Sequence, residues 1–374
     1  MSKQLNILGL MSGTSLDGLD MALCHFDDSR HFRLLAAETV SYPDGWRQRL
    51  ATLHQATALE YVRIDNELGH WMGQQAAQFL SRRQLKADCI ASHGHTVFHQ
   101  PEQGFTAQIG DPNALCAEAS IPVVGDFRRL DVALGGQGAP LVPVGDRLLF
   151  GNYDCCINLG GIANLSYEAH RQRIAYDICP CNMALNPLAA RQGAAYDRDG
   201  LMAQRGTCDA SLLQQMESLD YYHTAPPKTL GKEWFEARFL PLLDEHHATD
   251  DMLRTVTEHI ARRLAASVPD GAASVLLTGG GAHNRFLVSL LRQKRPDIEV
   301  VVPSPEVVDY KEAIIFALLA YLRLQGEANA LASVTGAKRD SCGGLLCGTL
   351  NSKFRMQNIV EQRGAQSCTN NWQP

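Results

Sequence analysis

The sequence predicts a two-domain α/β protein, and three observations point to it. The chain has 374 residues, which exceeds the usual size of a single domain. A pattern of apolar strand, glycine-containing turn and apolar strand occurs at residues 5–26 and recurs at residues 155–167. Between such strands, apolar residues recur at helical spacing, as at residues 46–85. We therefore expect two similar domains that face each other.

The composition argues against several functional classes. Hydrophobic residues make up 45% of the chain and charged residues 20%, which is typical of a globular protein with a substantial core. The net charge of −6, without a basic block, argues against nucleic-acid binding. The longest apolar run, residues 313–322, is too short to cross a bilayer, and residues 5–11 lack the features of a signal sequence. We expect no nucleic-acid or membrane partner.

The cysteines predict a cytoplasmic protein. There are eleven, an odd number, which fits free thiols in a reducing cytosol better than a disulfide framework. The close clusters Cys155-Cys156 and Cys179-Pro180-Cys181 lack the spacing of a zinc site. The acidic and histidine-rich residues 244–247 are expected in a solvated loop between helices. No metal held by the protein's own side chains is predicted.

The stretch MSGTSLDGLD at residues 11–20 carries the first chemical signal. Gly13 and Gly18 are expected to supply the positive φ angles of a tight turn between two strands. The turn offers backbone N–H groups, hydroxyls and carboxylates, the latter two from Thr14, Ser15, Asp17 and Asp20. Donor-rich glycine turns bind anions, and adjacent carboxylates can hold a metal that travels with phosphate. An ordinary hairpin turn is an equally good interpretation of this stretch alone.

Polar side chains follow a short buried strand predicted at residues 88–92. The sequence continues as His93-Gly94-His95-Thr96. Open α/β sheets bind ligands where such strands end. Two histidines two positions apart in an extended segment point to opposite faces, so they would not share a metal. One of them is either a ligand contact or a core histidine with a protein partner.

A second polar group follows the strand predicted at residues 123–125. Asp126 and Arg128 come directly after it, and the planar guanidinium of arginine suits a carboxylate or phosphate held by two hydrogen bonds. An Asp126–Arg128 ion pair is the alternative. The glycine-rich residues 134–140 contain no lysine and so are not a P-loop; we interpret them as a mobile connection near a domain boundary.

The second half supplies a further glycine turn. A strand predicted at residues 173–178 carries Asp177 near its end. Further on, a strand at residues 274–278 precedes Gly279-Gly280-Gly281, and Asn284 opens a helix. Backbone N–H groups at a helix start suit a nucleotide phosphate or ribose, although a close strand–helix contact would also require glycine. A buried helix is expected at residues 310–324, with Glu312 in its first turn.

Several stretches together resemble one family, the anhydro-N-acetylmuramic acid kinases of the actin-like ATPase and sugar kinase superfamily. The match runs in chain order to about residue 348, and its longest motif is VVGDFRRLDVALGGQGAPLVP at residues 123–143. The other matching motifs are MSGTSLDGLD (11–20), SHGHTVFH (92–99), QIGD (108–111), NLGGIANLS (158–166), YDICPCN (176–182), TGGGAHN (278–284), EA (312–313) and SVTGA (333–337).

The resemblance implies two ribonuclease-H-like domains with a cleft between them. We expect a first domain at residues 1–134, completed by a C-terminal helix, a second at residues 135–350, and a polar tail at residues 351–374. The implied reaction uses ATP, water and Mg²⁺ carried by ATP. It opens the 1,6-anhydro ring of anhydro-N-acetylmuramic acid and phosphorylates O6, in recycling of peptidoglycan. The sequence leaves a homodimer open.

The resemblance also implies roles for individual residues. Asp177 would be the base that activates water. The ATP phosphates would lie on the N-terminal turn, which is Gly13, Thr14, Ser15, Leu16, Asp17, Gly18, Leu19 and Asp20. The nucleoside would lie on Gly279, Gly280, Gly281 and Asn284. The sugar would be lined by His95, Thr96, Asp126, Arg128 and Glu312, and we add the expectation that Arg128 meets its lactyl carboxylate.

The chain departs from the family pattern beside the proposed base. The motif D-T-G-P-G-N is here Asp177-Ile178-Cys179-Pro180-Cys181-Asn182, and Asn186 replaces a usual acid. Gly145-Asp146 stands where an aromatic residue and a histidine are more usual. These changes leave two alternatives open, a kinase of a different amino sugar and a non-catalytic sugar sensor.

Overall fold

The computed structural model describes residues 4–13, 16, 18–226, 228–243 and 247–349. Thr14, Ser15 and Asp17 of the N-terminal turn lie outside the described residues, and so does the tail expected at residues 351–374. The described strands, in chain order, are β1 (Leu5–Ser12), β2 (Gly18–Phe26), β3 (Phe32–Ser41), β4 (Cys89–Gln100), β5 (Phe105–Ile109), β6 (Val123–Gly125), β7 (Cys155–Leu159), β8 (Ile162–Ala169), β9 (Gln172–Pro180), β10 (Ser274–Thr278), β11 (Glu299–Val301) and β12 (Leu345–Cys347).

Helices alternate with these strands. In chain order they are α1 (Trp46–Thr52), α2 (Ala58–Arg82), α3 (Pro112–Ala119), α4 (Arg129–Ala133), α5 (Val142–Leu149), α6 (Asn182–Ala190), α7 (Leu201–Arg205), α8 (Ala210–Glu217), α9 (Lys232–Trp234), α10 (Thr249–Ser267), α11 (Arg285–Lys294), α12 (Pro305–Gln325) and α13 (Ala332–Thr335). None of the helices in the described part of the chain has the length and apolar character needed to cross a membrane.

The described residues divide by their internal packing into two units. The first comprises residues 4–139 and 312–349, and the second comprises residues 140–311. The first boundary between the units thus falls after residue 139, whereas the sequence predicted it after residue 134. The second falls inside α12, and residues 312–349 pack with the first unit, whereas only a C-terminal helix was expected there.

The sheet of the first unit is mixed, with β1 at its centre. β1 pairs antiparallel with β2 and parallel with β4, β2 pairs antiparallel with β3, and β4 pairs parallel with β6. The order is therefore β6-β4-β1-β2-β3. Two further strands extend these five, since β12 adds antiparallel to β6 and β5 folds back on β4.

The sheet of the second unit repeats this arrangement. Its order is β11-β10-β7-β8-β9, where β7 pairs antiparallel with β8 and parallel with β10. β8 and β9 are antiparallel, and β10 and β11 are parallel. Strand order and direction therefore match the first unit strand for strand, which confirms the prediction of two ribonuclease-H-like α/β domains.

The helix predicted at residues 46–85 is two helices. α1 ends at Thr52. α2 begins at Ala58, because Thr57 caps it by accepting a hydrogen bond from the Glu60 N–H at 3.2 Å. The buried face of α2 follows the predicted spacing of three and four. It consists of Ile64, Leu68, Met72, Ala76 and Phe79, which pack in the core of the first unit.

α12 is longer than the predicted 310–324 and begins at Pro305. Glu312 therefore lies beyond its first turn, where the acidic residue is Glu306 instead. The helix crosses β1 closely at Gly9. A Cβ at Gly9 would lie 1.9 Å from the Ala313 carbonyl oxygen, so only glycine allows this contact.

Candidate active site

The N-terminal turn joins β1 and β2, as predicted. Ser12 pairs with Leu19 across the hairpin, and the Leu16 N–H donates to the Gly13 carbonyl at 3.2 Å. Among the described residues of this turn, Leu16 has a positive φ, of 59°. Gly18 does not have the expected positive φ; it is required for space, because a Cβ there would lie 2.3 Å from the Val40 carbonyl oxygen.

A buried hydrogen-bonded group lies at the base of this turn. The Ser12 hydroxyl bonds to His95 Nδ1 at 3.1 Å and, by a short contact, to the Tyr42 hydroxyl. Burial lowers the pKa of His95 to about 4 and raises that of Tyr42 to about 12, so both are neutral at physiological pH. Sequence reasoning identified His95 but missed Ser12 and Tyr42, because their proximity arises only from the strand pairing.

Two predicted members of the turn have contacts within the unit. Leu19 is fully buried in the core, so any contact with a ligand would use its backbone. Asp20 Oδ1 accepts a hydrogen bond from the Thr39 hydroxyl at 2.6 Å on the neighbouring strand. Asp20 is therefore the carboxylate, among the described residues of the turn, that could hold a metal travelling with phosphate.

His93 and His95 lie within a strand rather than after it. β4 continues to Gln100, because β5 pairs with its second half and prolongs it. His93 is buried, and its Nδ1 bonds to the Gly94 carbonyl at 2.9 Å. Its Nε2 accepts from Arg128 Nε at 2.9 Å, and burial together with the Arg128 charge lowers its pKa well below the usual value. His93 is thus a neutral core histidine.

Arg128 is already engaged at two nitrogens. Besides its bond to His93, one Nη donates to the Gly138 carbonyl at 2.8 Å. Burial lowers its pKa to about 10, while the charges of Glu312 and Asp131 act in the opposite direction. Because the Nε edge is occupied, Arg128 cannot present that edge to a bound carboxylate as the sequence analysis expected.

Asp126 faces Arg129 rather than Arg128. Its Oδ1 lies 3.6 Å from Arg129 Nε, and burial raises its pKa. Its φ of 57° is rare for a residue other than glycine. The alternative considered from the sequence, an Asp–Arg pair, is therefore present at Asp126, but with Arg129 as its arginine, while Arg128 bonds to His93.

Thr96 and Glu312 complete the sugar-lining set proposed for the first unit. The Thr96 hydroxyl accepts from Gln108 Nε2 at 3.3 Å. Glu312 is exposed, and its charge acts on Arg128. The Arg128 guanidinium thus interacts both with His93 on β4 and with the charge of Glu312 on α12. Arg128 itself lies directly before α4, so three parts of the first unit meet at this side chain.

The glycine-rich residues 134–140 are held by hydrogen bonds. The Gly138 N–H donates to Asp131 Oδ2 at 2.8 Å, and the Thr335 hydroxyl donates to Asp131 Oδ1 at 2.8 Å. The Gln137 N–H donates to the Thr335 carbonyl at 2.8 Å. Asp131 is fully buried, so these bonds are shielded from water. The interpretation of this stretch as a mobile connection is therefore wrong.

Asp177 lies on β9 with its two carboxyl oxygens in different environments. Oδ2 accepts a hydrogen bond from the Leu230 N–H at 2.8 Å. Among the described residues no partner contacts Oδ1, and the side chain is only partly buried. Burial raises the pKa of the carboxyl, and the Leu230 N–H opposes this. One oxygen is thus oriented while the other can accept a proton.

The glycine turn of residues 279–281 follows β10, as predicted. Gly279 has φ of 79°, and a Cβ there would lie 2.5 Å from Asn158 Oδ1. A Cβ at Gly281 would lie 2.8 Å from the Leu159 Cβ. Gly280 has the most room, since its nearest neighbour is Asn182 Nδ2 at 3.8 Å. The close backbone contact considered from the sequence is therefore real, and it brings the turn against β7.

Asn284 caps the helix that follows this turn. Its Oδ1 accepts from the Leu287 N–H at 2.9 Å, so the side-chain oxygen is used within the protein. A cavity of about 440 Å³ opens beside the turn. It is lined by Asp199, Ala282, His283, Arg285, Val288, Arg292 and Val302. Its volume lies within the range typical of small-molecule pockets.

The unusual cysteines beside Asp177 point into the core. Cys179 and Cys181 are both fully buried, and burial raises the pKa of each thiol. Both belong to the hydrophobic core of the second unit. Asn182 Nδ2 donates to the Leu159 carbonyl at 3.1 Å. A bound sugar could not contact these thiols, so the departure from D-T-G-P-G-N is accommodated by the core.

The second departure, Asp146, forms a buried ion pair. Its Oδ1 lies 2.6 Å from Lys311 Nζ, and its Oδ2 accepts a short bond from the Ser166 hydroxyl. Arg173 donates to the same hydroxyl at 2.8 Å. All four side chains are almost completely buried. Sequence reasoning missed this group, because its members are distant along the chain.

The described residues contain no group of three or more His, Cys, Asp or Glu side chains placed to hold a metal ion. The glycine turn of residues 279–281 leads directly into the cavity of about 440 Å³, since the next two residues, Ala282 and His283, belong to its lining. A strand-to-helix turn of this kind offers backbone N–H groups to an anionic ligand such as a nucleotide.

The chain is similar to known proteins over most of its length. The family model for anhydro-N-acetylmuramic acid kinase matches residues 5–348. A protein of that name from Vibrio vulnificus strain YJ016 is 36% identical over 360 residues, covering 91% of this chain and 97% of the relative. One from Pseudomonas putida is 38% identical, covering 88% and 96%. The chain belongs to the anhydro-N-acetylmuramic acid kinase family.

Proposed function

We propose that this protein is an ATP-dependent kinase that opens 1,6-anhydro-N-acetylmuramic acid with water and phosphorylates its O6. The products are N-acetylmuramic acid 6-phosphate and ADP, and the role is recycling of peptidoglycan sugar in the cytoplasm. Membership of the family supports the activity. The observation that carries the mechanism is the carboxyl of Asp177, oriented at Oδ2 by Leu230 and without a protein partner at Oδ1 among the described residues.

Asp177 acts as the general base in this proposal. Its carboxylate takes a proton from the water that attacks the anomeric carbon, and the bond from that carbon to O6 breaks. O6 then attacks the γ-phosphorus of ATP, the bond to the ADP oxygen breaks, and the proton on Asp177 returns to solvent. Burial raises the pKa of Asp177, which makes the carboxylate a stronger base than an exposed aspartate.

The nucleotide is assigned to the two glycine turns. Residues 13–20 would receive the phosphates, since the turn offers backbone N–H groups beside Asp20. Gly279, Gly280 and Gly281 would receive the nucleoside at the edge of the 440 Å³ cavity, with Asn284 holding the start of α11. Mg²⁺ supplies charge neutralisation on the phosphates when it is bound.

The sugar is assigned to His95, Thr96, Asp126, Arg128 and Glu312. The structure changes how Arg128 is expected to act. Its bonds to His93 and the Gly138 carbonyl leave its remaining Nη for a sugar carboxylate. His95 would act through Nε2, because Nδ1 is bonded to Ser12.

A sugar-dependent ADP-release assay tests the function. The purified chain is supplied with Mg-ATP and a panel of anhydro and free amino sugars, including anhydro-N-acetylmuramic acid, N-acetylmuramic acid and N-acetylglucosamine. We expect ADP release only with the anhydromuramic sugar, with stoichiometric sugar 6-phosphate. Release with a different sugar alone would support the kinase of another amino sugar, and no release with any sugar would support the sensor.

A further inference from the structure

The segment between α8 and α9 contacts Asp177 at three points. The Tyr221 hydroxyl donates to the Asp177 carbonyl oxygen at 2.5 Å, and the Asp177 N–H donates to the Lys228 carbonyl at 3.3 Å. The Leu230 N–H donates to the carboxyl oxygen Oδ2 at 2.8 Å. The backbone of Asp177 is therefore held on both its polar groups, and its side chain is held by the same segment.

We propose that Tyr221, Lys228 and Leu230 form a clamp that fixes the orientation of the Asp177 carboxyl for catalysis, with Tyr221 as its principal positioning residue. The clamp rests on the proposed function, in which Asp177 is the base. It assigns a positioning role to a segment outside the motifs on which the resemblance to the family rests.

Strand pairing alone does not fix Asp177. β9 pairs with β8 in register up to Asp177, which lies opposite Asn164, but the next pair is Cys179 with Ala163. Ile178 is therefore an extra residue, and the ladder is disrupted directly after the proposed base. Bulges of this kind redirect side chains next to active sites. A residue beside such an irregularity needs other contacts to hold its position, and the clamp supplies them.

The aromatic ring of Tyr221 is held on several sides. Tyr221 is 9% exposed, and its ring centroid lies 5.4 Å from that of Trp234 and 5.8 Å from that of Tyr222. The Lys228 ammonium lies 4.6 Å from the ring centroid and donates to the Tyr221 carbonyl at 3.1 Å. With the ring fixed in this way, the hydroxyl has one direction in which to donate.

The clamp is attached to the core of the second unit through the neighbouring residue. The Tyr222 hydroxyl bonds to His259 Nε2 at 3.0 Å, and His259 Nδ1 bonds to Glu217 Oε1 at 2.6 Å. His259 is fully buried on α10. This chain of bonds connects the described residues of the segment, 218–226 and 228–231, to both α8 and α10 of the unit.

Substitution of Tyr221 by phenylalanine tests the proposal. Tyr221→Phe keeps the ring and removes the donor to the Asp177 carbonyl. Because small misplacements of reacting groups are costly, we expect kcat to fall about tenfold while KM for ATP and for the sugar stays within about twofold. Tyr176→Phe is the matched control. It removes a hydroxyl from the residue next to Asp177, but that hydroxyl bonds to the Ser267 carbonyl at 3.4 Å.

A second variant guards against a folding defect. Lys228→Met keeps the side-chain stem and removes the ammonium that holds Tyr221, and Lys228 is only partly buried, so the fold should tolerate it. We expect a smaller decrease in kcat, again without a change in KM. Thermal unfolding and ATP binding are measured for all three variants. The clamp would be overturned if kcat fell equally in Tyr221→Phe and Tyr176→Phe. It would also be overturned if kcat stayed at the wild-type value in both Tyr221→Phe and Lys228→Met.

The failure of the clamp is distinguishable from failure of the proposed function. If Asp177 is not the base, Asp177→Asn retains activity. If Asp177→Asn is inactive and the wild-type chain is active, but Tyr221→Phe behaves like Tyr176→Phe, only the clamp is wrong.

Discussion

The two units share one topology but use the same turn differently. In the second unit the β7–β8 turn, Gly160-Gly161, accepts bonds at its carbonyls from the N–H groups of Cys181, Asn182 and Met183, at 2.8 to 3.1 Å. This turn is therefore used to fix the start of α6. In the first unit the corresponding β1–β2 turn is longer and carries hydroxyl and carboxylate residues in its sequence. The repeated strands supply the framework, and the chemistry differs in the turns.

The units also differ in their buried polar groups. In the first unit His93, Arg128 and Asp131 connect chain segments around the glycine-rich residues 134–138. In the second unit Asp146, Lys311 and Arg173 form a buried charged group that joins α5, α12 and β9. The following experiments test the roles assigned to particular residues of each unit.

The largest effect is expected for the proposed base. Asp177→Asn keeps the shape and the Leu230 bond acceptor but removes the basic carboxylate, so kcat should fall by about 10²–10⁴-fold while ATP binding is preserved. Steady-state kinetics and calorimetric ATP titration measure both quantities. Asp270→Asn, an exposed aspartate in the same unit, is the control. Product formation near the wild-type rate by Asp177→Asn would exclude this residue as the base.

The next largest effect concerns stability. Asp146→Asn leaves the buried cations of Lys311 and Arg173 without their anion, which should cost about 3–5 kcal/mol in the free energy of unfolding. Denaturant unfolding measures it. The double variant Asp146→Asn with Lys311→Met should recover part of the loss, because it removes one uncompensated charge. Equal stability of Asp146→Asn and wild type would show that the pair is not a determinant of this unit.

The pH dependence of stability tests the buried group under the N-terminal turn. Burial lowers the pKa of His95 to about 4. In the unfolded chain this histidine has its ordinary pKa of about 6.5. Between about pH 6.5 and pH 4 the unfolded chain therefore binds more protons than the folded chain. Stability should therefore decrease as pH falls from about 6.5 to about 4, by about 3 kcal/mol from this residue. His95→Gln should reduce this slope, and an unchanged slope in that variant would show that His95 is not its source.

A smaller effect is expected for the glycine turn of the second unit. Gly279→Ala and Gly271→Ala both place a side chain at positive φ, of 79° and 81°, which costs about 1–2 kcal/mol in each case. Only at Gly279 does the new Cβ meet a close atom, since nothing lies within 4 Å of a Cβ at Gly271. Gly279→Ala should therefore be less stable and bind ATP more weakly than Gly271→Ala. Equal ATP affinity would argue against nucleotide binding at this turn.

The activity profile with pH gives the last comparison. The base must be deprotonated, and burial raises the pKa of Asp177, so kcat/KM should be lost on the acidic side at a higher pH than an exposed aspartate would give. The profile is measured with wild type and with Tyr221→Phe. A shift of the acidic limb to higher pH in Tyr221→Phe would indicate that the Leu230 bond to the carboxylate is weakened with the clamp.

The sequence predicted the elements that depend on local pattern. Short apolar runs next to glycine turns identified β1, β2, β7, β8 and β10, and the glycines of residues 279–281 correctly marked a strand-to-helix turn. It failed where a distant partner decides the structure. β4 runs past His95 because β5 pairs with it, and Arg128 faces His93 rather than Asp126 because β4 lies beside it. Tyr221 and Leu230 could not be found from pattern at all, since only the fold brings them to Asp177.

The most direct test of the central claim is the reaction carried out in heavy-oxygen water and stopped rapidly. If Asp177 activates water against the anomeric carbon, the sugar 6-phosphate should carry one heavy oxygen at that carbon and none in its phosphate ester, and Asp177→Asn should give no labelled product. Sugar 6-phosphate without label, or label found only in inorganic phosphate, would contradict the account.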